Sequence, residues 1–506
     1  MSGMTGVGRA LPPAVRDSKP REPLLAQFAS FVELLIWLLV LRSFFLPLFI
    51  IPTGSMASTL MGAHADYTCT NCGFEFPVGV MPQGGLPQNV LCPNCRYVED
   101  LRRSKARLVG KAGDRIIVHG WTTDVGGALG PRRWDAVVFK NPNEPEVNFI
   151  KRLLGLPGET IAFVDGDLWT APAGKSDLRV ARKTPEAQEA LWIPYFDQDF
   201  LPRRVGEGYA PRWEPEDGTT HWNGLKTRRF EFGSADGEAT IAFRTRRATD
   251  PPEILDVLGY NGLLRNYHVV SDVRVGADVE FVDEAGFVEL SLSKGPRRFL
   301  GTLHVDGRVE LSASTADGAA AEWGSTRVSL SNRRPVRLAL GHADYRVSVQ
   351  IDGVEVLASS DEQYSLSIDE ARAIAAQPSS AAPAIRAGRG RVHLTHIRID
   401  RDIYYTPSDM GSTAARGANA PLKLPDDAYF VCGDNSPLSH DSRFWTEASL
   451  GGHLREKLKS GDYLVGTVPA DQMIGRAFFV YWPGFLPLTS QGPALLPDLG
   501  RVRWIH

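Results

Sequence analysis

The stretch from Leu24 to Ile51 is largely apolar, and it constrains where the rest of the chain can fold. As a helix rising about 1.5 Å per residue, it is longer than a hydrocarbon core of about 30 Å is thick, so it can span a bilayer. Arg16, Lys19 and Arg21 precede it, with no equal positive charge just after it. The positive-inside rule then puts residues 1–23 in the cytoplasm and everything after the segment outside. Glu33 and Arg42 lie within it; Arg42 is close enough to the outer interface to snorkel. Ser55-Met56-Ala57 has the small-x-small form of a signal-peptide cleavage site, so a cleaved signal is the alternative. The apolar run exceeds the roughly 7–15 residues of a signal core, which favours a retained transmembrane anchor over 24–51.

A chain of 506 residues is too long for one compact domain. Its 43% apolar and 23% charged content is that of sequences that bury cores. A formal net charge of -3 without a basic stripe argues against nucleic-acid binding. Four of the five cysteines form two Cys-x-x-Cys pairs, Cys69/Cys72 and Cys92/Cys95, 19 residues apart. That is the spacing of a four-cysteine zinc ribbon, with structural zinc as the expected metal in an insertion over 64–100. In an oxidising compartment the same pairs could instead form two disulfides, and a redox role is a third reading. Cys432 reads as a small buried hydrophobe.

Alternating segments bounded by Gly, Pro or Asn follow: Arg115–Val118, Asp135–Phe139 and Val147–Leu154. They predict short strands of one sheet. From Leu168 to about residue 406 the period-two pattern continues with hairpin signals. Asp352-Gly353 joins Val347–Ile351 to Val354–Val356, and Asp306-Gly307 joins Leu303–Val305 to Arg308–Leu311. Asp-Gly favours a type I′ turn, and the region as a whole predicts an antiparallel β-sandwich over 168–406. Gln377–Gly390 and Thr406–Pro421 have linker composition, the linker being placed at 407–420. Strand patterning returns at Tyr429–Cys432, Tyr463–Val468 and Ala477–Trp482, before a C-terminal tail at 491–506.

Three segments carry chemistry. Pro52-Thr53-Gly54-Ser55 holds a serine on a non-helical turn where the apolar segment ends. A serine hydroxyl attacks a carbonyl only when a base takes its proton. On a strand through Lys151, the lysine shares a face with Val147, Phe149 and Leu153, and burial there lowers its pKa from about 10.4 towards neutrality, making an amine base available. Gly433-Asp434-Asn435 and Ser439-His440-Asp441-Ser442-Arg443 form a turn-rich stretch dense in hydrogen-bonding groups. Within it Asp441 and Arg443 can pair, and Ser439 can orient the lysine. Each segment alone also reads as an ordinary turn, snorkelling lysine or solvated loop.

Taken together and in order, the three segments resemble the motif set of bacterial type I signal peptidases. Pro52-Thr53-Gly54-Ser55-Met56-Ala57-Ser58-Thr59-Leu60 resembles the nucleophile motif, and Lys151-Arg152-Leu153-Leu154-Gly155-Leu156-Pro157-Gly158-Glu159 the lysine motif. Gly433-Asp434-Asn435 with Ser439 and Asp441-Ser442-Arg443 resembles the third. Gly113–Val118 and Gly475-Arg476-Ala477 are weaker matches. The resemblance implies Ser55 as nucleophile, Lys151 as general base, Thr53 as an oxyanion donor where the family has serine, and Ser439 as the residue orienting the lysine. Gly433, Asp434, Asp441 and Arg443 become loop-bracing residues. Ser58 stands in place of a proline, Ser436 of an arginine and Glu159 of an aspartate.

The implied fold is mainly β. A transmembrane helix precedes a catalytic β domain (52–63, 101–167 and 421–490) interrupted by the zinc ribbon and by a sandwich that resembles concanavalin-like or laminin-G-like domains. The implied activity is removal of signal peptides from exported precursor proteins by a Ser-Lys dyad, with no catalytic cofactor. The enzyme would be a single-pass protein of the bacterial cytoplasmic membrane, its catalytic domain outside and the lipid bilayer a partner. The sandwich could bind a glycan or a protein, with Trp213, Trp222 and Trp323 as candidate sugar-stacking residues. Rival readings are a glycan- or protein-binding protein on an inactive peptidase scaffold, a self-cleaving repressor relative, and a zinc-ribbon nucleic-acid binder. The retained Ser55, Lys151 and Ser439 argue against the first of these.

Overall fold

A computed structural model describes residues 24–81, 84–104, 108–122, 129–203, 212–216, 218, 221–244, 253–263, 267–315, 318, 320–330, 334–377, 380–406, 421–487 and 494–505. The expected tail 1–23 and linker 407–420 lie outside the described residues.

An α-helix, Leu24–Val40, runs into a π-helical turn, Leu41–Phe45. Its side chains Phe31, Leu34, Trp37 and Leu38 are exposed. Among the described residues no helix is long and apolar enough to cross a membrane. The apolar segment does not remain helical to residue 51 as the sequence suggested. Pro47 disfavours helical backbone at Leu46, which sits at φ -132°, and Leu48–Ile50 pairs as a strand with Arg115–His119 instead.

That strand is the edge of the first sheet. Its order is Leu48–Ile50, Arg115–His119, Met473–Trp482, Ala136–Lys140, Asn148–Gly155, Ala428–Cys432 and Val468–Pro469, with each neighbouring pair antiparallel. Both faces are covered. Ala136, Val138 and Ile150 pack with Ile51, Met56 and Leu60 on one side, and Val137, Phe139 and Leu153 pack with Val431 and Trp445 on the other. Two-sided burial explains why Ala136–Phe139 is apolar throughout rather than alternating. A smaller sheet of Arg179–Val180, Asp167–Ala171, Thr160–Val164 and Leu422–Lys423 adjoins it.

The insertion is organised around one 18-residue strand, Ala384–Arg401. Residues 384–394 pair with Phe230–Phe243 on one edge; on the other, 384–388 pair with Phe287–Lys294 and 392–401 with Val273–Phe281. Part of the segment with linker composition is therefore the central strand, its small residues packed at Ala384 and Ala387. Both Asp-Gly hairpins form: Asp352 and Gly353 have φ of 50° and 79°, as a type I′ turn requires, and Gly307 has φ 83°. Trp213 and Trp222 are buried in this core, and Trp323 packs on Phe299 and Tyr364. Trp213 and Trp222 are core residues rather than a sugar platform, and Trp323 is half-buried against the same core.

Candidate active site

Ser55 sits in a single 3₁₀ turn, Gly54–Met56, entered from extended backbone at Thr53. The turn is tied to the first sheet by Ile51 N–H donating to Asp114 O at 2.9 Å and Met61 N–H donating to the Asp114 carboxylate at 2.9 Å. Lys151 comes from the middle of the strand Asn148–Gly155, opposite Val137. Its Nζ lies 2.7 Å from Ser55 Oγ and 3.1 Å from the Ile150 carbonyl oxygen. Residues 96 positions apart thus share one hydrogen bond. Burial pushes the Lys151 pKa down to about 8; Asp441 and Asp434 oppose the shift without making contact. An amine that loses its proton near pH 8 and touches a hydroxyl is equipped to act as a base.

The serine, the lysine and Thr53 open on one groove of about 770 Å³, walled by Phe49, Ile116, Val138, Phe149 and Leu438. Thr53 is exposed, and its side chain makes no capping bond to the turn.

Beneath the groove lies a layer of buried ions. Arg443 donates from Nε and Nη2 to Asp441 at 2.9 and 2.7 Å, and from Nη1 to Ser436 Oγ at 2.6 Å and the Thr406 carbonyl at 3.0 Å. Gly433 N–H donates to the same Asp441 carboxylate at 2.9 Å. Gly433 must be glycine, because a Cβ there would lie 2.2 Å from Ser439 Oγ and 2.3 Å from the Ser55 carbonyl oxygen. Ser439 is buried, yet its hydroxyl has no partner in good hydrogen-bond geometry, and no bond joins it to Lys151.

Sequence reasoning missed Arg152. It is fully buried and forks onto Asp434 at 3.1 and 2.6 Å while donating to the Trp134 carbonyl at 2.6 Å. Its position beside Lys151 in a run with apolar residues at both alternating positions, Phe149-Ile150 and Leu153-Leu154, was the available signal. Tyr260 and Asn261, which reach the serine turn from the insertion, carried none.

The cysteines form a second centre. Cys69 Sγ lies 3.7 Å from Cys95 Sγ, Cys72 Sγ lies 3.7 Å from Cys92 Sγ, and no cysteine is in a disulfide. Tetrahedral thiolates on bonds of about 2.3 Å would stand about 3.8 Å apart, so the donor set fits a metal such as zinc. The two turns match each other: Gly73 N–H donates to Cys69 O and Arg96 N–H to Cys92 O, with φ of 80° and 60°. Asn71 and Asn94 each aim a side-chain N–H at a sulfur of the opposite pair, at 3.8 and 3.9 Å. Such donors stabilise thiolate charge.

Residues 102–192 and 353–482 match the family model described as signal peptidase, peptidase S26. Over these residues, less than half of the chain, the protein is similar to that family. Its matched residues hold Lys151, Arg152 and the Gly433–Arg443 loop, and Ser55 precedes them. Signal peptidase I of Pseudomonas aeruginosa is 34% identical over 152 residues, 30% of this chain and 39% of that one. The Pseudomonas fluorescens enzyme of the same name is 31% identical over 144 residues, 28% and 36% respectively. The chain therefore spans under two fifths of the length of these relatives. Among solved structures, a carbohydrate-binding module of Bacillus subtilis aligns at TM-score 0.24 and 12% identity, covering 37% of this chain and 95% of its own. The catalytic domain of a laminarinase of Thermotoga petrophila aligns at 0.26 and 10%, covering 42% and 98%. Likenesses that low bear on neither the fold nor the function of this chain.

Proposed function

We propose that the protein is a membrane-bound serine endopeptidase that removes N-terminal signal peptides from exported precursors with a Ser55–Lys151 dyad. The observation that carries this reading is the contact of 2.7 Å between Lys151 Nζ and Ser55 Oγ, in a groove where burial leaves the amine unpaired by any carboxylate. The neutral amine takes the Ser55 proton as Oγ attacks the scissile carbonyl carbon. The oxyanion is held by the Ser55 N–H and the Thr53 hydroxyl, and the ammonium returns the proton to the leaving amine. Water, deprotonated by the same lysine, then releases the acyl group and restores Ser55. In this scheme Ser439 is a positioning residue for the lysine. Asp441, Arg443, Gly433 and Asp434 hold the floor.

Membrane attachment is supported by the 17-residue apolar α-helix and the five-residue π turn that follows it, on which Phe28, Phe31, Leu34, Trp37, Leu38 and Phe44 are exposed. At about 1.5 Å per residue the α-helical part alone covers about 25 Å, most of a hydrocarbon core. A membrane site would present the groove to precursors as they leave the bilayer, with the catalytic domain on the extracytoplasmic side.

For the cysteine module, the thiolate spacing and matched turns support a structural zinc that cross-links the two halves of the insertion when bound. Elemental analysis should then find about one zinc per chain, and chelation should release it with loss of the module's hydrogen-exchange protection.

The decisive experiment is cleavage of a purified exported precursor carrying Ala-x-Ala before its cut site, by detergent-solubilised wild type beside Lys151→Ala and Ser55→Ala. Cleavage confined to the wild type is the expected result. A folded Ser55→Ala protein with full activity overturns the assignment.

A further inference from the structure

The β-rich insertion reaches the nucleophile. Its 3₁₀ turn Gly259–Asn261 lies against the Ser55 turn, about 200 positions away in sequence. The Tyr260 ring fills the space a Cβ would need at both Gly54 and Gly79, where such an atom would come within 2.0 and 2.1 Å of it. Tyr260 OH donates to the Ala63 carbonyl at 3.1 Å. Beside it, Asn261 and Asn435 form a reciprocal amide pair: each Nδ2 donates to the other's Oδ1 at 2.7 Å. Both amides are buried, 3% and 1% exposed.

Asn435 in turn holds two carbonyls of the nucleophile turn, those of Gly54 and Ser55, the first of which also accepts from Ala57 N–H at 3.0 Å. Its Nδ2 donates to Gly54 O at 3.0 Å and its backbone N–H to Ser55 O at 3.0 Å. The Gly54 carbonyl and the Ser55 N–H belong to one planar trans peptide unit and point in opposite directions. Fixing Gly54 O therefore fixes the aim of the Ser55 N–H, the backbone donor that an oxyanion at this serine would use. An asparagine amide can present either end to Gly54 O. The Gly54 carbonyl, which can only accept, requires the Nδ2 end, and the two bonds of the pair with Asn261 hold the plane of that amide in place.

We infer that Asn261, supplied by the insertion, is a positioning residue of the peptidase site: it locks the Asn435 amide and through it aims the Ser55 N–H at the oxyanion. The inference rests on the serine-endopeptidase reading above. It makes the insertion part of the catalytic machinery rather than a module tethered beside it, with Tyr260 as the wedge that seats the turn.

The test compares kcat and KM of the solubilised full chain, wild type against Asn261→Ala and the same-sized Asn261→Asp, on a peptide bearing Ala-x-Ala before its cut site. Misaiming one oxyanion donor should lower kcat about 10- to 100-fold in both variants. KM should stay within about twofold, and the acid limb of kcat/KM should stay near pH 8, because Lys151 is untouched. Should Asn261→Ala fail to fold, Asn261→Asp decides the matter, since it keeps the volume and the acceptor but replaces the donor to Asn435 Oδ1. Full kcat in either folded variant, or a loss carried by KM alone, overturns the inference. A wild type that cleaves nothing overturns the peptidase reading and this inference with it.

Discussion

Among the described residues, Lys151, Lys183 and Lys294 all have buried side chains, and they differ in what surrounds them. Lys183 meets Asp344 at 2.7 Å and Asp402 at 2.8 Å. Lys294 meets Asp272 at 2.5 Å, Asp167 at 3.2 Å and Asp165 at 3.4 Å. Burial lowers the pKa of both, but the carboxylates outweigh it and leave each ammonium more firmly protonated than a free lysine. Lys151 is buried to the same degree; its nearest carboxylates act only through space, burial wins, and its pKa falls to about 8. Burial alone does not make a base. Burial with the counter-ion withheld does, and the Asp441 carboxylate that could have served is already committed to Arg443 and Gly433.

The sharpest way to break this comparison is activity. Lys151→Met should lower kcat/KM by at least about 10³-fold, since the serine then has no base. Lys183→Met and Lys294→Met should keep kcat/KM within about twofold at a temperature where they remain folded. Equal losses in all three would mean that the site draws on the buried network as a whole. Initial rates on one precursor peptide make the test.

Stability should order the same variants the other way. Lys294→Met leaves Asp272 and Asp167 buried without their cation, and removing one partner of a buried ion pair costs about 3–5 kcal/mol. Its urea midpoint should fall accordingly.

Lys151→Met should instead stabilise the protein. In the folded state Lys151 holds its proton only below about pH 8, whereas the unfolded chain holds it up to about pH 10.4. Wild-type stability should therefore rise with pH between these values and carry the full penalty below them, up to about 3 kcal/mol. Lys151→Met should lack that rise and be the more stable protein at pH 7. Denaturant titrations at pH 7 and pH 10 measure both; a less stable Lys151→Met would mean that the ammonium has a partner in the folded state.

How much of this could be read from the sequence follows from the range of the interactions. The strand carrying Lys151 and the two Asp-Gly hairpins are set by neighbours in sequence, so patterning and turn chemistry locate them. The cysteine cluster is legible for the same reason: two local Cys-x-x-Cys turns of fixed spacing each supply half of it. Arg152 was overlooked because alternation assigns one face of a strand to solvent, and this strand is buried on both. The central strand Ala384–Arg401 was obscured by small residues that look like a linker until the sheets that pack on them are known. The Asn261–Asn435 pair joins two turns with 173 residues between them, and no local pattern encodes such a contact. The apolar segment was overextended because hydropathy does not register Pro47 turning the chain into the first sheet.

The finest test concerns the balance at Lys151 itself. Its pKa results from burial and Arg443 lowering it against Asp441 and Asp434 raising it. Asp441→Asn removes a negative charge while keeping the side-chain shape and an acceptor for Gly433 N–H. The amine should then lose its proton more readily, and the acid limb of kcat/KM should move from about pH 8 to lower pH, by less than about one unit. The same charge neutralisation at Asp272 should leave the limb in place and show itself in the melting temperature, because Lys294 does no chemistry. A limb that moves upward with Asp441→Asn, or moves equally with Asp272→Asn, would mean that the titrating group lies elsewhere, and the contrast between the paired and unpaired lysines would lose its catalytic meaning.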